Sequence, residues 1–266
     1  MKSERIRKIV RALSVVMIVF SLAALVMTVW EIRRGKAHFI QAVEDARPAR
    51  EDRTLRLGEL QTVNPEIVGW LMVDGTAVDY PILQDAAIRE EFLRNGRVEN
   101  LLGVDYQERV YHYLFYDYRN RRSATGSITV DCRMLLDDPY VLIYGHNIGE
   151  EEVMFSDLER FRDPAFCEEN PGAVLFTETG AYELELIAVS SVNGYMQEVF
   201  DCMDAALALD CLKENALFFT SAAEQIRLGA SREKLVILST CAVAGHPEDP
   251  ERLELVYRIK PPKIDK

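Results

Sequence analysis

One of the five cysteines stands in surroundings unlike those of the other four. In KLVILSTC (residues 234–241) an apolar run ends on Cys241, turn formers follow in AVAGHPEDP, and ERLELVYRIK then starts a second strand pattern. Two strands joined by such a loop pair antiparallel, which sets Cys241 beside the first residues of the second strand, where Arg252 stands. Arg258 falls six residues on, about 20 Å along a strand and at the wrong end. The sequence alone thus places a thiol and a guanidinium as neighbours at a barrel rim.

A thiol with a pKa near ~8.5 is mostly protonated at neutral pH, so a third group must take its proton. The chain has four histidines. VLIYGHNIG (141–149) sets His146 just past an apolar strand, on a glycine-flanked loop where a side chain can face a cleft. His246 lies in the loop after Cys241, His112 in a tyrosine-rich segment and His38 near the N-terminus. Position favours His146 over His246, with a backbone-bonded strand-end histidine and an exposed loop histidine as the plain alternatives. Cys132, Cys167, Cys202 and Cys211 form no CxxC and no metal-ligand spacing. They read as small buried hydrophobes, and Cys202 and Cys211, nine residues apart on one expected helix, are too far apart (about 13 Å) for a disulfide. Nothing in the sequence implies a metal or an organic cofactor.

The elements that must position these residues are short strands with turn punctuation. Periodicity predicts strands near 67–73, 77–83, 110–116, 126–131, 140–145, 172–178, 182–192, 234–241 and 251–259, and helices at 86–94, 151–161 and 203–228. Leu253, Leu255, Tyr257 and Ile259 share one face of the last strand. The pattern is that of a mainly β protein, a closed barrel of about eight strands with N-terminal helices and a helical insertion before the Cys241 strand.

The 266 residues carry a net charge of −12, which argues against nucleic acid as a partner. That charge is unevenly spread. Residues 1–36 hold eight bases and two acids, a net of +6, so the remainder carries −18. Between the basic clusters, residues 12–30 hold no formal charge. Nineteen helical residues span about 28 Å, the thickness of a bilayer's hydrocarbon core. The sequence thus divides into a basic cytoplasmic tail (1–11), a single-pass signal-anchor (12–30), a helical stalk broken at Pro48 (31–62) and one domain (63–266). Five bases before the span and three after it put the N-terminus in the cytoplasm and the domain outside the cell.

With these residues in place, the chain resembles the sortases, membrane-anchored cysteine transpeptidases of Gram-positive bacteria, and the class B members in particular. The resemblance covers roughly residues 63–260. It rests on LSTC with an arginine eleven residues on, YGHN upstream, NPEIVGWLMVDGTAVDYPILQ (64–84), GSITVDCR (126–133), YGHNIGEEEVMFSDLERFRDPAFCEENP (144–171) and the helical insertion before the Cys241 strand. It implies a nucleophile at Cys241, a proton-transfer group at His146 and an oxyanion or substrate-positioning group at Arg252. It also implies groove positions at Leu238, Ser239 and Thr240, whose plain alternative is strand packing; Tyr144 and Asn147 flank the histidine and join them as candidate substrate-binding positions. The partners implied are surface-protein or pilin substrates with a C-terminal sorting signal (NPxTx or xPxTG), cleaved after threonine through a thioester. The acceptor implied is an amine of a cell-wall precursor or a pilin lysine. The acidic loop with Glu248, Asp249 and Glu251 departs from the pattern, because a carboxylate there would compete for Arg252. A surface cysteine peptidase that releases its product to water, and an anchored binding module with Cys241 merely buried, are the alternatives.

Overall fold

The computed structural model describes residues 2–46, 57–95, 111–149, 153–200, 205–221, 234–243 and 249–260. Pro48, Cys202, His246 and Glu248 lie outside them. Helix α1 (Lys2–Ala46) runs unbroken through the expected anchor, and its 24-residue stretch Arg7–Trp30 is long and apolar enough to cross a membrane. A short α2 (Leu57–Gln61) leads into the strands, with Leu57 and Leu60 buried against the core.

Nine strands follow: β1 (Ile67–Val73), β2 (Asp79–Leu83), β3 (Ile128–Val130), β4 (Tyr140–Tyr144), β5 (Gly172–Thr177), β6 (Gly180–Asn193), β7 (Ala216–Phe219), β8 (Leu235–Cys241) and β9 (Glu251–Ile259). Their order is β5-β1-β2-β3-β4-β8-β9-β6-β7, and an added β5–β6 pairing closes the first eight into a barrel with β7 on the outside of β6. The fourteen-residue β6 makes the closure possible. Its first half pairs with β5 and its second half with β9 and β7, and its register shifts between Leu186 and Ala188 against β9 and between Val189 and Ser190 against β7. Strands β2–β3 and β4–β8 pair parallel, and the other pairings are antiparallel. The parallel β8 sits mid-sheet, so its run LVILSTC is buried on both faces until Cys241, as a continuous apolar strand requires.

The helices depart from expectation at three places. Residues 112–115, expected in a strand, form helix α4 (His112–Phe115), after α3 (Ala86–Asn95). Tyr113 points inward and its hydroxyl donates to Glu66, so one buried tyrosine per turn, not alternation, set the aromatic pattern. The stretch after the histidine loop is a 3-10 helix (Ser156–Arg162) followed by α5 (Pro164–Glu169), with Asp163 capping α5 through Ala165 N. The insertion is not one helix over 203–228. It holds α6 (Gln197–Phe200) and α7 (Ala205–Glu214), after which Asn215 turns the chain into β7. Residues 222–228 are outside the described set.

Candidate active site

Strands β4 and β8 run parallel in a register that ends at Tyr144 opposite Ser239. Two hydrogen bonds carry the alignment further: Gly145 N donates to Ser239 O at 3.2 Å, and Thr240 Oγ1 donates to Gly145 O at 2.8 Å. Continued by one more residue, the register sets His146 opposite Cys241. On the other side of β8, the antiparallel register pairs Cys241 with Arg252, while Arg258 pairs with Leu235 at the far end. His146, two residues past the end of β4, is thus directed toward Cys241 on β8, which pairs on its other side with Arg252 on β9.

Local sequence dictates this arrangement. A Cβ on Gly145 would lie 2.6 Å from the Phe155 ring and 2.8 Å from Ile128, so only glycine lets the chain leave β4 and carry His146 over the rim. Phe155 N then donates to His146 O at 3.0 Å, which folds the loop back on itself. Helix α4 covers the imidazole. Its Leu114 carbonyl is 2.8 Å from His146 Nε2, and the Phe115 ring meets the imidazole edge-on with centroids 6.4 Å apart. A carbonyl only accepts, so Nε2 carries the hydrogen and, in the neutral ring, Nδ1 is the basic nitrogen. Burial holds His146 below the ordinary histidine value, opposed by the bond to Leu114. Burial thus favours the neutral ring, whose Nδ1 can accept a proton.

Arg252 is anchored by main chain. Its Nη1 donates to Asp249 O at 2.5 Å and to Glu251 O at 2.9 Å. Among the described residues no carboxylate takes the guanidinium, and Nε and Nη2 remain for other acceptors. The competition expected from the acidic loop is therefore met by backbone carbonyls at Asp249 and Glu251. Glu251's carboxylate instead accepts from Ser191.

The other cysteines contrast with Cys241. Cys132 and Cys167 are buried thiols, pushed up to about 12 and about 11, first by desolvation, and Cys167 Sγ donates to Phe161 O. Only Cys241 among the described cysteines shares a rim with an imidazole and a guanidinium.

The expected groove positions sort by strand alternation. Ser239 shares the Cys241 face of β8 and Leu238 and Thr240 the opposite face, and all three are buried. Asn147 is 4% exposed and its amide is used internally, on Cys241 O, Glu159 and Gly149 N. Tyr144 donates its hydroxyl to Asp131 Oδ2 at 2.9 Å, and Asp131 is held bidentately by Arg133. Both residues build the frame. Tyr144, Ser239, Glu254 and Ser190 line up across β4, β8, β9 and β6, one pleat row below Cys241 and Arg252. Glu254 is fully buried there, accepts from Ser239 Oγ at 2.7 Å, and leaves Oε2 without a partner among the described residues. The sequence carried a signal for it: once 253, 255, 257 and 259 fill one face, Glu254 falls on the Cys241 side. Leu114, Glu159 and Arg162 gave no such signal, because their partners are far away in sequence.

A thiol flanked by a neutral imidazole and an anchored guanidinium is equipped for acyl transfer at a carbonyl. No family model matches the chain. Curated relatives do. The sortase B of Listeria monocytogenes is 28% identical over 191 residues, which is 70% of this chain and 66% of that protein. That of Staphylococcus aureus is 24% identical over 269 residues, 97% of this chain and 98% of that one. In fold, a Staphylococcus aureus sortase B–substrate complex matches with a TM-score of 0.65 at 20% identity, over 88% of this chain and all of that one. The chain is thus similar in sequence to class B sortases and shares their fold.

Proposed function

We propose that this protein is a membrane-anchored transpeptidase acting on C-terminal sorting signals, with Cys241 as nucleophile. The pairing of Cys241 with Arg252 on β8 and β9, beside the His146 loop that leaves the neighbouring β4, carries the reading. His146 Nδ1 takes the thiol proton, and the thiolate adds to the carbonyl of the signal's threonine in an NPxTx or xPxTG segment. Arg252 donates to the resulting oxyanion. The protonated imidazole returns its proton to the departing amine, leaving a thioester on Cys241. An incoming amine, of a cell-wall precursor or a pilin lysine, adds to the thioester carbonyl, gives its proton to His146, and expels the thiolate. Helix α1 holds the enzyme to the membrane with its N-terminus in the cytoplasm and the barrel outside, supported by the five bases before the uncharged residues 12–30 against three after them.

The test is product analysis with a pentapeptide library and triglycine or lysine acceptors. A transpeptidase gives ligated peptide in proportion to acceptor. Release to water alone, whatever the acceptor, would make the protein a surface peptidase, and full cleavage by Cys241→Ala would remove the mechanism altogether.

A further inference from the structure

Backbone pairing between β4 and β8 ends before it reaches the reacting residues, and two side chains take over from it. Asn147 Nδ2 donates to Cys241 O at 3.1 Å. Arg162 Nη2, from the 3-10 helix, donates to the next carbonyl, Ala242 O, at 3.3 Å. Glu159 joins the two: its Oε1 accepts from Asn147 Nδ2 at 3.1 Å and its Oε2 from Arg162 Nε at 2.7 Å. Asn147 Oδ1 in turn accepts from Gly149 N, so the amide orientation is fixed by three acceptor–donor relations and cannot flip without losing all of them. Ala242 is held from the other side as well, its N–H donating to Glu251 O at 3.0 Å.

We infer that Asn147, Glu159 and Arg162 form a clamp that sets Cys241 against His146, and that Asn147 and Arg162 are positioning residues for the thiol. The inference rests on Cys241 and His146 acting as proposed. Consecutive carbonyls at the nucleophile are gripped by residues from the histidine loop and from the helix that follows it, so the thiol and the imidazole move as one unit. Where the ladder has run out, nothing else among the described residues bonds the His146 loop to the main chain of Cys241. A displacement near 1 Å in such a pair costs about 100-fold in rate.

The experiment uses the full chain in detergent, with peptide cleavage and the pH dependence of Cys241 alkylation by iodoacetamide as readouts. Asn147→Ala should lower kcat by about 10–100-fold with KM within about 2-fold, and should change the pH profile of Cys241 alkylation. Asn147→Asp should be worse than Asn147→Ala, although it is the closer shape, because its carboxylate faces Glu159 and the Cys241 carbonyl. A role in packing alone predicts the reverse order and an unmoved alkylation profile, and either result in a folded variant overturns the inference. Should Asn147 variants not fold, Arg162→Ala, on a half-buried side chain, must show the same kcat loss and profile shift. Cleavage that survives Cys241→Ala sinks the functional reading. Cleavage lost in Cys241→Ala but intact in Asn147→Ala and Arg162→Ala sinks only the clamp.

Discussion

Glu254 is a fully buried acid. Burial raises its carboxyl well above the usual carboxylate range, against the lowering effects of the Ser239 hydrogen bond and of Arg252. A proton held more tightly in the folded chain than in the unfolded one favours folding below the unfolded pKa. That stability is lost as pH climbs from there through the raised folded value. Glu254→Gln, which mimics the protonated acid, should therefore match the parent in thermal melts near pH 4 and exceed it at pH 8, with a gap that widens between. At the row above, Arg252→Lys should cost about 100-fold in kcat, since an ammonium cannot reproduce the planar fork that Asp249 and Glu251 anchor. His146→Ala should abolish cleavage nearly as fully as Cys241→Ala, and His246→Ala should leave most of it; kinetics on the two variants decide between the histidines. Residues of this kind were legible where strand logic alone brought them together, as with Cys241 and Arg252 across one loop. Asn147 was visible as a neighbour of His146, but its task was not, because its partners Glu159 and Cys241 are set by folding.

The elements repeat that division. β8 and β9 could be read to within a residue, since apolar runs and alternation are local properties. Helix α4 could not, because its Tyr113 and Leu114 serve a hydrogen-bond network to Asn64, Glu66 and His146 that local periodicity does not encode. β7 escaped notice for a related reason: ALFF has no alternation, and its strand state comes from pairing with β6 at Ala188 and Val189. The junction between β4 and the histidine loop gives the sharpest test at this scale. Gly145→Ala forces a methyl into Phe155 and Ile128, and the resulting overpacking should cost about 1–3 kcal/mol of stability. Denaturant melts report that cost, and activity should fall further than stability because His146 is the next residue.

At the scale of the whole molecule, an apolar α1 stretch, exposed along its length, joins a barrel closed by β5 and β6. The β8–β9 hairpin sets Arg252 beside Cys241 locally, but His146 reaches the rim where the parallel strands β4 and β8 end, and no hairpin can bring those two together early. Asn147 and the Cys241 carbonyl that it binds are separated by 94 positions in the chain, and the loop between them must close at an entropic cost before either side is rewarded. A chain that is still emerging or only partly folded therefore lacks the imidazole beside its thiol. In the proposed mechanism the thiol gains its proton acceptor late, when β4 joins β8. Before that, the protein is chemically quiet toward its neighbours, and its thiol reactivity can serve as a clock for the final steps of folding.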